Sequence, residues 1–62
     1  MKRRVKVPGG EITVEVIGEN GAHMIYVDDV LWVVTDNQVH AAVMFHMIAD
    51  HITEYMNYEI ID

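Results

Sequence analysis

Hydrophobic and polar residues alternate with a period of two along residues 2–7 and 11–18, and with a helical period from residue 36 onward. A period of two sends successive side chains to opposite faces of a strand, so KRRVKV and EITVEVIG read as two strands. Pro8-Gly9 between them is the favoured central pair of a type II turn. With those two residues as the loop, Lys6 faces Glu11, Val5 faces Ile12, Arg4 faces Thr13 and Lys2 faces Glu15. Charged positions then meet charged ones on one face and apolar positions meet apolar ones on the other, which supports the register. Asn20-Gly21 is the strongest short hairpin signal, and a tight turn there sets Val16 opposite Ile25 and Val14 opposite Val27. Residues 22–27 form a third strand and Asp28-Asp29 a weaker turn. Residues 30–34, VLWVV, form a fourth strand that is apolar on both faces. Simple alternation puts Val30, Trp32 and Val34 on the face of Ile25 and Val27. It puts Leu31 and Val33 on the reverse face with Ile17, Met24 and Tyr26.

Residues 36–57, DNQVHAAVMFHMIADHITEYMN, predict one long helix with no Pro or Gly inside it. Thr35 and Gln38 have the spacing of a capping box, Val34 and Val39 occupy the staple positions, and Asp36 places a negative charge in the first turn. At 100° per residue, Ala41, Ala42, Phe45, Ile48, Ala49, Ile52 and Met56 form a core stripe. The opposite side carries Val39, Val43, Met44 and Met47, with His40, His46, His51, Asp50 and Glu54 around them, so the helix is apolar nearly all round. The expected fold is α+β: a four-stranded antiparallel β-meander of order 1-2-3-4 with the C-terminal helix packed on one face, a single ββββα domain over residues 1–62. The closing YEIID fits a helix end, a short strand or a tail.

Length sharpens that picture. A chain of 62 residues is near the lower limit for folding unaided, and it has no Cys to supply a disulfide or a thiolate metal site. A helix of about 22 residues spans roughly 33 Å and should overhang strands of about 20 Å. The expectation is a homodimer or higher oligomer. Contact would run helix to helix through Val39, His40, Val43, Met44, Met47 and His51, or edge to edge through the fourth strand with Leu31 and Val33. The plain alternative is a monomer with an apolar surface.

Charge narrows the partner. The net charge is −6, and all four cations (Lys2, Arg3, Arg4 and Lys6) lie in the first six residues. Direct binding to nucleic acid or to an anionic membrane is therefore not expected, whereas Asp28, Asp29, Asp50 and Glu54 suit a protein with a basic surface. The best apolar run, residues 41–49, is interrupted by His46 and is too short to span a bilayer, and MKRRVKV leads into no hydrophobic signal region. A cytoplasmic location is the expectation, in the host cytoplasm if the chain is phage-encoded.

Candidate chemistry is sparse. There is no Ser and no Cys for covalent catalysis, and no GxGxxG or P-loop pattern. His40, Met44, Met47 and His51 lie in one stripe, a donor set that suits copper. However, His40 and His51 are about 16 Å apart along one helix, and Met at such positions more often fills an interface. His46 and Asp50 offer two ligands where zinc wants three or four. Asp28, Asp29 and Asp36 lack the spacing of a calcium loop. No catalytic residue, metal or cofactor is assigned. The row of Lys2, Arg4 and Lys6 fits cross-strand pairing with Glu11 and Glu15 better than a phosphate site. Size, charge and lack of catalytic groups suggest a small acidic inhibitor or adaptor that is not an enzyme. The chain resembles small phage anti-defence inhibitors in type, without a shared motif. The alternative is an oligomer that sequesters a small molecule, such as a nucleotide-like one, at subunit interfaces lined by Arg3, Arg4, Tyr26, Trp32, Tyr55 and Tyr58.

Overall fold

The computed structural model describes residues 1–55 and 59–60, with side chains as far as Ile52. Four antiparallel strands follow one another as a meander: β1 (Lys2–Val7), β2 (Gly10–Glu19), β3 (Ala22–Val27) and β4 (Val30–Thr35). Helix α1 (Gln38–Tyr55) lies across them on one face, and a short β5 (Glu59–Ile60) returns to the sheet, giving the order β4-β3-β2-β1-β5. The fold is α+β, as the alternation predicts.

Turn chemistry fixes the first two registers. Gly9 has φ 88°, the positive value a type II turn demands at its second central residue. Lys2 then pairs with Glu15, Arg4 with Thr13, Val5 with Ile12 and Lys6 with Glu11, the register read from the sequence. Arg4 Nη1 also donates diagonally to Glu11 Oε2 at 3.3 Å, an ion pair across the two strands. Asn20 (φ 51°) and Gly21 (φ 79°) form the left-handed pair of a type I′ hairpin turn, and Val14 meets Val27 and Val16 meets Ile25. Asp28 (φ 51°) and Asp29 (φ 67°) adopt the same left-handed pair without a glycine. Asp tolerates that region better than most residues, so this turn is a tight hairpin after all.

The fourth strand corrects the expected faces. Ile25 pairs with Val33 but Tyr26 pairs with Leu31, so Trp32 is an extra residue in a β-bulge. Beyond the bulge the parity flips. Val33, expected on the reverse face, packs against the core, and Val34, expected on the helix face, pairs with Met24 on the reverse face. The first strand is corrected too. Val5 pairs with Ile60 and Lys6 with Glu59, so β1 is covered over those residues while β4 is a bare edge.

The helix starts two residues later than predicted. His40 N–H donates to Asn37 Oδ1 at 2.9 Å, so Asn37 is the N-cap, and Asn37 N–H donates to Thr35 Oγ1 at 3.2 Å. The Thr35/Gln38 capping box does not form. Asp36 sits in a bend outside the helix, and the staple fails because Val34 and Val39 are both exposed. Eighteen residues span about 27 Å, longer than the six-residue strands β1, β3 and β4 at about 20 Å and shorter than ten-residue β2 at about 33 Å. Asn37→Ala is expected to cost about 1 kcal/mol in urea unfolding, and Thr35→Ala less than half of that. The reverse ranking would restore Thr35 as the cap.

The core lies between α1 and one sheet face. Val5, Val14, Ile25 and Val27 face Ala41, Phe45, Ala49 and Ile52, all buried, with Val7, Ile12, Val16, Val33, Met44 and Ile48 packed around them. The predicted stripe is therefore the core-facing side of the helix as far as Ile52; Met56 lies outside the described residues. Met44, expected on the outer side, is half-buried against the core.

Candidate interaction surfaces

A two-layer fold with one helix leaves two outer surfaces, and both carry uncovered apolar side chains. On the helix, Val39, Val43 and Met47 follow i, i+4, i+8 spacing, so they form one stripe pointing away from the core; they are 73%, 48% and 64% exposed. Exposed His40, His46, Asp50 and His51 border this stripe. Glu54 follows Asp50 at i+4 on the same side of the helical backbone; its side chain is outside the described residues. There is no Lys or Arg in α1.

The second surface is the sheet face turned away from the helix. Ile17 pairs with Met24 and Met24 with Val34, so three apolar residues form one row across β2, β3 and β4. Beside it, Glu15 pairs with Tyr26 and Tyr26 with Leu31. Ile17, Leu31 and Val34 are exposed, Met24 and Tyr26 half-buried, and the Tyr26 hydroxyl donates to Met24 Sδ at 3.8 Å. Toward β1 the same face turns polar, with Lys2, Arg4 and Lys6 opposite Glu15, Thr13 and Glu11. Val30 and Trp32, 60% and 55% exposed, add apolar surface along the bare edge of β4.

These positions sort the residues expected at an oligomer interface. Val39, His40, Val43, Met47 and His51 are together on the outer helix face, and Leu31 is exposed on the sheet. Val33 and Met44 belong to the core side. Alternation missed Ile17, Met24 and Val34 as a single row, because the bulge decides where Val34 points.

The acids expected to meet a basic partner divide between two places. Asp50 is exposed on the helix, and Asp28 and Asp29 are exposed at the β3–β4 turn. The residues of the sequestering alternative do not converge within one chain. Arg3 pairs with Val14 on the helix side of β1, whereas Arg4 and Tyr26 are on the reverse face. Trp32 is on the far edge, three strand spacings or about 14 Å from β1. The side chains of Tyr55 and Tyr58 lie outside the described residues. Among the described residues no three His, Asp or Glu side chains come together as a metal-binding group. Among them, too, no helix is long and apolar enough to cross a membrane.

No protein-family model, curated protein or solved structure matches this chain.

Proposed function

We propose that this chain is a non-enzymatic interaction protein, a homo-oligomer whose acidic helix side docks on a protein with a basic surface, as a small inhibitor or adaptor would. One observation carries the reading. Apolar side chains are uncovered on both outer faces of a chain with little core to spare: Val39, Val43 and Met47 on one, and Ile17, Leu31 and Val34 on the other. Contiguous apolar surface of this kind marks contact sites more than isolated exposed residues do. On the helix side the apolar stripe is bordered by Asp50 and by no cation other than histidine, so the complementary surface is apolar and basic. The carboxylates supply steering and selectivity, and the stripe supplies desolvated contact.

The test is affinity capture from an extract of the source cells, with wild type beside a Val43→Lys/Met47→Lys/Asp50→Lys variant whose helix content is verified by circular dichroism. The expected result is a protein with a basic surface that is held by wild type, released by about 0.5 M salt as screening shortens to a few ångströms, and lost with the variant. The same partners held equally by both proteins would contradict the assignment of the helix side.

A further inference from the structure

We infer that the sheet face turned away from the helix, centred on Ile17, Met24 and Val34, is where a second copy of this chain binds, sheet against sheet. This rests on the self-association proposed above and adds which face is used.

Charge selects the occupant. On β1 and β2 this face bears Lys2, Arg4 and Lys6 against Glu11, Glu15 and Glu19, three cations to three carboxylates, whereas the chain as a whole carries −6. A second copy approaching here meets a face of balanced charge and a row of apolar side chains, so like-charge repulsion is smallest on this face. A basic protein finds no excess of carboxylate on this face. The helix side behaves oppositely. Two copies packed through the outer face of α1 would set Asp50 of each against an acidic twin with no Lys or Arg on the helix to offset it. The bare edge of β4 is the third possible contact, and the bulge at Trp32 interrupts the regular spacing that strand-to-strand pairing needs.

Geometry allows the contact to be self-complementary. Ile17 and Met24 are directly paired across β2 and β3. A two-fold axis running along the strands between them sets Met24 of one copy over Ile17 of the other, and the reverse. Sheets packed this way lie about 10 Å apart with their strands within about 30°. Four strands about 4.8 Å apart and six residues long present a footprint of roughly 400 Å² per copy, against about 800 Å² in an interface of standard size. A contact of half the standard size is expected to be weak and reversible.

The chain's own methionines report on the question. Met24 lies on the sheet face, Met47 on the outer helix face, and Met44 against the core. The experiment is methyl NMR of the full chain with 13C-methyl methionine, from about 20 µM to 1 mM, a range set by the footprint above. The expected result is a Met24 methyl that moves along a single dimerisation curve while Met47 and Met44 stay in place. In the Ile17→Lys/Val34→Lys variant, the dimerisation constant weakens at least about tenfold. Should that double variant fail to fold, Val34→Lys alone serves, because Val34 is 58% exposed at the sheet edge. Movement of Met47 with Met24 still would overturn this assignment and leave self-association standing. If no methyl moves and the mass stays that of one chain, both fail.

Discussion

Phe45→Ala is expected to leave the chain largely unfolded at 25 °C, with the far-ultraviolet dichroism of a disordered polypeptide. Phe45 is the largest fully buried side chain and sits where α1 meets Val5, Val14 and Ile25. Truncating a buried Phe costs about 3–5 kcal/mol through lost burial and the cavity left behind. A domain of 62 residues has only about 3–9 kcal/mol of total stability. The loss is therefore comparable with everything that holds the fold, and β2 and β3 provide no second core to fall back on. A cooperative transition that survives with less than about 1 kcal/mol lost would mean that Phe45 does not anchor the helix to the sheet.

Ala49→Leu is expected to destabilise the fold although it adds apolar surface. Ala41 and Ala49 lie one turn before and one turn beyond Phe45, at i−4 and i+4, and are 1% and 0% exposed. Small side chains at both positions let the helix backbone come close to the sheet, so Phe45 is the one large knob between them. Leu at Ala49 must push the helix away or force side chains off their rotamers, at about 2 kcal/mol. For a domain this small that corresponds to a fall in Tm on the order of 10 °C, readable by thermal dichroism. An unchanged or higher Tm would show free space beneath the helix that the packing of Phe45, Ile48 and Ile52 does not suggest.

The parts of this fold that the sequence displays are those where pattern and turn chemistry agree. Pro8-Gly9 and Asn20-Gly21 each fix a hairpin, and the alternation of charged and apolar residues on either side leaves one register that satisfies both faces. The fourth strand departs from simple alternation for a physical reason. VLWVV is apolar at every position, so an inserted residue leaves no trace in the periodicity, and the bulge at Trp32 silently exchanges the faces of Val33 and Val34. The capping-box spacing of Thr35 and Gln38 pointed to the wrong residue, because the cap is Asn37. Thr35 remains paired with His23 in the sheet, and the chain needs Asp36 and Asn37 to turn toward the helix. Met44 lies at the margin of the core stripe, where a flexible side chain fills the gap beside Phe45 instead of pointing outward. Among the candidate surfaces, the exposed stripe of Val39, Val43 and Met47 was legible from spacing alone. The apolar row on the sheet depended on the bulge, and so needed the three-dimensional pairing.

Two uncovered apolar faces on one small acidic chain are the centre of the account, and the mass in solution addresses them most directly. Sedimentation equilibrium at neutral pH, from about 5 to 500 µM, spans the range in which an interface of this footprint assembles. The weight-average mass is expected to climb with concentration from that of a single 7.1 kDa chain toward twice that value, and to return on dilution. A constant 7.1 kDa over the whole range would contradict it.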